Sequence, residues 1–92
     1  LQSLRAMPGL LTFRPADAVE TAECWALALA AKEPSVLALT RQNVAAVRTA
    51  AAAENLSARG AYRLKAAGGE RAVILIATGS EVAIALGAAE LL

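Results

Sequence analysis

The sequence predicts an α/β fold, with parallel-sheet βαβ units from two adjacent three-layer domains that are both incomplete in this chain. Residues 35–40 and 72–77 are short apolar runs, typical of strands buried on both faces. A helix-period pattern over 18–31 links the first run to an earlier strand candidate at 10–13. A strand, a helix and a strand within about thirty residues predict two parallel strands joined by a right-handed crossover.

The first elements have recognisable boundaries. Residues 1–7 have the pattern of a helix end, which Pro8-Gly9 stops. Asp17 is the predicted N-cap of the next helix, and Glu20 completes an acidic variant of the capping box. That helix should end near Lys32, because Pro34 disfavours helical geometry at the residue before it. Its predicted buried face consists of Val19, Ala22, Trp25 or Ala26, and Leu29.

The second half of the chain contains a connector and a further βα unit. The predicted division is the end of one domain at 1–47, a connector at 48–60 and the start of another domain at 61–92. A short helix is expected near 44–53 and a half-buried strand at 61–65. Thr78 and Glu81 have capping-box spacing at the start of the last helix.

The composition suggests that these 92 residues are part of something larger. The sequence begins at Leu1 without Met, and an apolar helical pattern runs up to Leu92 with no capping residue after it. Hydrophobic residues make up 58% of the chain, but only 3% are aromatic and many are Ala. A core built from them alone would be thin. We therefore expect its apolar faces to pack against other parts of a longer protein or against another subunit.

Charge and composition exclude several functions. A net charge of +1 with interleaved signs gives no basis for nucleic-acid binding, and the longest apolar run, 73–77, is too short to span a bilayer. Cys24 is the single cysteine, so no intrachain disulfide can form, which fits a reducing cytosol. There is no His, so this stretch lacks the most common general base and metal ligand.

The leading candidate site is Arg41-Gln42-Asn43, directly after the strand at 35–40. Ligands of open α/β sheets bind beyond the carboxyl ends of the strands. A guanidinium at that edge is suited to bidentate capture of phosphate or carboxylate. The alternative is a loop whose polar groups cap a helix or bind water.

Three further features have mainly structural interpretations. The turn at 78–81 could offer backbone N–H groups to a phosphate, but it lacks the glycines of a nucleotide-binding motif, so helix capping is favoured. The acidic trio Asp17, Glu20 and Glu23 lies on one helix face and could serve acid–base chemistry, helix capping or, for Glu23, contact with a partner subunit. Cys24 should be a buried or semi-buried small side chain, and Trp25 should pack in a core or an interface.

Four motifs together resemble transketolase. They are Phe13-Arg14-Pro15-Ala16-Asp17 with Glu20, the run from Ser35 to Asn43, the run from Gly60 to Leu64, and the run from Ala77 to Val82. The resemblance implies that residues 1–47 belong to the end of a pyrimidine-binding domain, and 61–92 to the start of a C-terminal domain.

The resemblance also implies an activity. The family transfers a two-carbon ketol unit from a ketose phosphate to an aldose phosphate. It uses thiamine diphosphate and a divalent cation such as magnesium, and it works as a cytoplasmic homodimer in the pentose phosphate pathway. Arg41 matches the arginine that binds the phosphate of the sugar substrate. Thr40 and Gly9 replace a Ser and an Asn that are common in the family.

The resemblance places no catalytic residue, metal ligand or cofactor-binding residue in this segment, so the segment alone is expected to be inactive. Two alternatives stay open at this point. One is a related thiamine-diphosphate enzyme similar to deoxyxylulose-phosphate synthase. The other is a non-catalytic α/β interaction fragment.

Overall fold

The computed structural model describes residues 1–49 and 53–92 of the chain. Its regular elements, in chain order, are helix α1 (Gln2–Arg5), strand β1 (Leu11–Phe13), helix α2 (Ala18–Ala30), strand β2 (Ser35–Leu37), a 3-10 helix (Leu56–Arg59) and helix α3 (Glu81–Leu91). The mixture of helices with a parallel sheet confirms the predicted α/β class.

Strands β1 and β2 form the predicted parallel pair, and α2 connects them in the sequence. Thr12 lies opposite Val36 in the register of the two strands. Both strands are shorter than the predicted spans 10–13 and 35–40. The pairing ends soon after Phe13, whose carbonyl accepts a last hydrogen bond from the N–H of Ala38 at 2.8 Å. Pro15 follows at once and has no N–H with which to extend a ladder.

Helix α2 begins at Asp17 as predicted, because the Asp17 carboxylate accepts a hydrogen bond from the N–H of Glu20 at 2.9 Å. The Glu20 carboxylate in turn accepts from the N–H of Ala16 at 2.9 Å, one residue before the position that a capping box uses. The helix ends at Ala30, two residues before the expected end at Lys32.

The predicted buried face of α2 is wrong. Trp25 is 50% exposed and Leu29 is 79% exposed, whereas Cys24 is the helix residue that becomes buried. The side of α2 that is covered carries its carboxylates, because the following chain docks on them through hydrogen bonds. The apolar side finds no cover among the described residues.

Three predicted elements do not form. Residues 61–65 and 72–77 have no regular strand structure, and Ile76 is 90% exposed. A strand depends on hydrogen bonds from a neighbouring strand, and the described residues supply no such strand to 61–65 or to 72–77. The predicted helix at 44–53 is absent over 44–49, and residues 50–52 of its span lie outside the described residues. The 3-10 helix, which follows this stretch and packs against α2, was not predicted.

Candidate functional site

A cleft of about 290 Å³ opens at the carboxyl ends of β1 and β2. Arg14 lines it from the β1 side, Thr40 and Gln42 line it from the β2 side, and the turn at Gly79 leads to Glu81 on the third side. The first turn of α3 therefore faces the edge of the sheet where ligands of parallel α/β folds bind.

Arg14 connects β1 to the start of α3. Its Nη1 donates to the carbonyl of Thr78 at 2.9 Å and to the Thr78 hydroxyl at 3.0 Å, while Nη2 forms an ion pair with Glu81. The Arg14 carbonyl accepts from the N–H of Gly79 at 3.1 Å. The predicted capping of α3 by Thr78 is therefore wrong. Ser80 takes the N-cap position without a side-chain cap bond, and Thr78 is held by Arg14 instead.

Arg41 lies beyond the end of β2, as the strand-end argument predicts. It occupies the middle of a turn in which the Thr40 hydroxyl accepts from the N–H of Gln42 at 3.1 Å. Thr40 and Gln42 line the cleft, whereas Arg41 and Asn43 are exposed and are not part of its lining. Arg41 thus lies on the turn between two residues that line the cleft.

The two strand-end arginines have different electrostatic surroundings. The positive charge of Arg14 is balanced by Glu81, whose pKa is lowered by the backbone N–H at the helix start and by Arg14 itself. In the described part of the chain, Arg41 has no carboxylate within ion-pair distance. Arg41 is therefore the one of the two whose charge is available to an anion from solution.

The acidic face of α2 binds the chain that follows β2. Asp17 uses one carboxylate oxygen for the helix cap, and its other oxygen accepts from the N–H groups of Val47 at 2.9 Å and Arg48 at 2.8 Å. Glu20 accepts a hydrogen bond from the hydroxyl of Tyr62. The capping role predicted for Asp17 is confirmed, whereas Glu20 accepts from the N–H of Ala16 and not from that of Asp17. Each carboxylate also holds a distant segment.

Glu23 is the centre of the largest polar network. Its two oxygens pair with the guanidinium of Arg48 at 2.9 and 3.2 Å, and Oε1 also accepts from the hydroxyl of Ser57 at 2.9 Å. The Arg48 guanidinium lies 5.3 Å from the ring centroid of Tyr62. Glu23 therefore meets an arginine of its own chain, and the alternative in which it contacts a partner subunit is not supported.

The pKa shifts in this network favour a structural role. The bond from Arg48 lowers the pKa of Glu23 to about 2, against the opposing effect of burial. Burial and the bond to Glu20 raise the pKa of Tyr62 to about 12, and the pKa of Arg48 is raised by Glu23. All three groups keep one protonation state across the neutral range, so they are poor proton donors or acceptors for catalysis.

Cys24 is buried as predicted, at 5% exposure. Burial raises the pKa of its thiol, so the reactive thiolate is disfavoured at neutral pH. The inert structural interpretation of Cys24 fits this environment.

Residues 1–49 and 53–92 contain neither a metal-binding cluster nor a membrane-spanning helix. In these ranges, no cluster of three His, Cys, Asp or Glu side chains is arranged to hold a metal ion. No helix in the same ranges combines the length and the apolar character that crossing a bilayer requires.

The sequence patterns did not identify Arg14, Arg48 and Tyr62 as site residues. Arg14 directly follows β1, and Arg41 directly follows the predicted strand at 35–40, so the same strand-end argument would have identified Arg14. Arg48 and Tyr62 lie in a stretch with no periodicity, and their partners are twenty-five or more positions away in the sequence. No local pattern in the sequence could have paired them with α2.

Comparison with known proteins adds independent observations. Residues 1–47 match the family model described as the pyrimidine binding domain of transketolase. Residues 60–92 match the model of the transketolase-like C-terminal domain. A comparison with solved structures gave no match.

Three curated relatives illustrate the similarity to whole sequences. The chain is 59% identical to a transketolase of Cereibacter sphaeroides over 93 positions, and 58% identical to one of Rhodobacter capsulatus over 89 positions. It is 48% identical to transketolase 2 of Escherichia coli K12 over 91 positions. These alignments cover 100%, 96% and 98% of the chain, but only 14%, 13% and 14% of the three relatives. The chain belongs to the transketolase family.

Proposed function

We propose that the chain is part of an enzyme that transfers a two-carbon ketol unit from a ketose phosphate to an aldose phosphate, and that Arg41 binds the phosphate of the sugar. Family membership supports the reaction class, since the relatives that match the chain are named transketolases. The observation that carries the role of Arg41 is its place on an exposed turn between the cleft-lining residues Thr40 and Gln42, without a carboxylate partner in the described residues.

The role of Arg41 in this proposal is substrate positioning. A guanidinium can form two parallel hydrogen bonds to a phosphate, which fixes both the position and the orientation of the bound group. The far end of the sugar is then held while its reactive carbons meet the reaction centre. Binding energy gained at the phosphate can thereby lower the barrier at a distant carbon.

Thiamine diphosphate and a divalent cation are the cofactors that the family implies. The described residues do not fit the cation, because they contain no set of side chains that could hold a metal ion. We therefore assign no cation ligand to the described residues and derive no step through the cofactor from them. The proposal also includes a homodimer, which sedimentation of the full-length protein would test, and a location in the cytoplasm, which cell fractionation would test.

The test of Arg41 is substrate discrimination by the full-length enzyme. We expect Arg41→Ala to lower kcat/KM for a phosphorylated sugar by about ten- to a hundredfold, and to lower kcat/KM for the unphosphorylated sugar far less. Arg41→Lys should lie between the two, because it keeps the charge but loses the bidentate geometry. Arg63→Ala is the matched control, since it removes an equal charge from another exposed position.

Three results would change the assignment. If Arg41→Ala lowers kcat/KM equally for both sugars, Arg41 does not bind the phosphate. Release of carbon dioxide from pyruvate with glyceraldehyde 3-phosphate would instead favour the related synthase chemistry. If calorimetry detects no binding of thiamine diphosphate by the native full-length protein, the remaining alternative is the non-catalytic interaction fragment.

A further inference from the structure

Asp17 joins two places in the chain that are thirty residues apart. One oxygen of its carboxylate caps α2 through the N–H of Glu20, and the other accepts from the N–H groups of Val47 and Arg48. Asp17 is only 4% exposed, so water competes little for these bonds. The carboxylate therefore fixes the backbone at residues 47 and 48 relative to the start of α2.

The segment between β2 and Val47 has few other attachments. The N–H of Ala38 bonds to the carbonyl of Phe13 at its beginning, and the turn from Thr40 to Gln42 follows. Past Gln42, the next hydrogen bonds that the described residues make with this segment are those from Val47 and Arg48 to Asp17. The segment forms neither helix nor strand, so no ladder of backbone bonds holds it. Arg41 thus lies on a loop fixed at two ends, and Asp17 is the anchor of the far end.

We infer that Asp17 is a positioning residue for Arg41, an inference that rests on the proposed binding of the sugar phosphate by Arg41. By fixing residues 47 and 48, Asp17 restricts the conformations of the loop and keeps Arg41 on the turn between the cleft-lining residues Thr40 and Gln42. A loop held in its binding conformation loses less conformational entropy when the ligand arrives. Loss of the anchor should therefore weaken phosphate binding, although Asp17 does not touch the ligand.

Asp17→Asn separates the two roles of this carboxylate. Asn is as good an N-cap as Asp, so α2 can keep its first hydrogen bond. The second oxygen becomes an NH2 group, which cannot accept from Val47 or Arg48. Asp17→Ser is the second variant, because Ser also caps helices but offers one oxygen only. Either variant that yields folded protein provides the test.

The readout is the ratio of kcat/KM for a phosphorylated sugar to kcat/KM for its unphosphorylated counterpart, measured on the full-length enzyme. We expect Asp17→Asn to lower this ratio about five- to tenfold, mainly through KM for the phosphorylated sugar. In the Arg41→Ala background, Asp17→Asn should leave the ratio unchanged, because the group that it positions is gone.

The outcomes are distinguishable. Suppose that Arg41→Ala lowers the ratio but Asp17→Asn reduces kcat/KM equally for both sugars. Asp17 is then merely structural, and the inference is overturned while the proposed function stands. If Asp17→Asn lowers the ratio equally with and without Arg41, the coupling is absent and the inference also fails. If Arg41→Ala itself leaves the ratio unchanged, the proposed function of Arg41 falls, and the inference falls with it.

Discussion

Glu23 and Arg48 form a bidentate ion pair that ties helix α2 to the chain beyond the sheet. The two N–O distances are 2.9 and 3.2 Å, and the side chains of Arg48 and Glu23 are only 5% and 13% exposed. Ser57 and the N–H of Leu56 complete the hydrogen bonds to the Glu23 carboxylate. A pair that is both shielded from water and fully hydrogen-bonded should matter far more to stability than an exposed one.

Removal of Arg48 should destabilise the full-length protein strongly. Arg48→Met keeps most of the side-chain length but leaves the Glu23 carboxylate shielded without its cation. We expect the free energy of unfolding to fall by about 3 kcal/mol, measured by chemical denaturation.

Arg59 and Glu54 provide the matched control for this experiment. They also form a salt bridge, at 2.8 Å, but their side chains are 54% and 59% exposed. Arg59→Ala should change the free energy of unfolding by less than about 1 kcal/mol. Similar losses for Arg48→Met and Arg59→Ala would show that burial of the Glu23–Arg48 pair has no energetic consequence.

The lowered pKa of Glu23 predicts a dependence of stability on pH. A carboxyl group with a pKa of about 2 in the folded protein and 4.5 when unperturbed stabilises the fold above about pH 4.5. This contribution is lost as the pH falls from 4.5 through about 2, where the folded-state carboxylate takes up its proton. Glu23→Gln removes the titration.

Denaturation of the wild-type protein and of Glu23→Gln at several pH values measures this effect. We expect the difference between their free energies of unfolding to shrink by about 2–3 kcal/mol between about pH 6 and pH 2. Subtraction cancels the contributions of the other carboxyl groups. A difference that stays constant over this range would mean that Glu23 titrates at its ordinary pKa.

Local sequence patterns were sufficient to predict the unit of β1, α2 and β2. The two strands, the helix between them and the cap at Asp17 follow from features that lie a few residues apart, and all are present. The placement of Arg41 in a turn beyond the end of β2 follows from the same reasoning. The exposed face of α2 and the Glu23–Arg48 pair could not be predicted in this way, since they depend on which distant segment covers the helix.

The run at 72–77 shows a different limit of the sequence. Its composition is typical of a buried strand, yet Val73, Ile74 and Ile76 are 59%, 69% and 90% exposed. A strand pattern describes side chains that need a neighbouring strand and covering helices, and it does not supply them. The relatives are about seven times longer than the chain, which covers 14% of the first of them. The pattern therefore predicts that residues 72–77 prefer a strand, whereas formation of that strand depends on the segments that neighbour it.

The reactivity of Cys24 should report the integrity of the α2 contacts. Cys24 is buried and its thiol pKa is raised by burial, so little thiolate is accessible at neutral pH. Alkylation at Cys24, followed by peptide mass spectrometry on the native full-length protein, should be slow and should accelerate on addition of denaturant. Arg48→Met should accelerate labelling without denaturant, because it loosens the segment docked beside the thiol. Rapid labelling of the native wild-type protein would contradict the burial of this side chain.

Gly79→Ala should disturb the link between β1 and α3 more than other glycine substitutions. Gly79 has a φ of +59°, and a Cβ placed there would lie 2.8 Å from Nε and 2.9 Å from Cγ of Arg14. The left-handed backbone alone costs an ordinary residue about 1–2 kcal/mol. The new methyl group must also push the Arg14 guanidinium away from Thr78, so we expect a loss of about 2–3 kcal/mol in the free energy of unfolding.

Gly68→Ala is the control for this substitution. A Cβ at Gly68 meets nothing within 4 Å, and its φ lies outside the left-handed region. The added methyl group restricts the unfolded chain, so this variant should be neutral or more stable by up to about 1 kcal/mol. Arg14→Ala combined with Gly79→Ala then separates the two causes of the loss. If relief of the clash matters, Gly79→Ala costs less in the Arg14→Ala background than in the wild type, whereas equal costs in both backgrounds assign the whole effect to the backbone at Gly79.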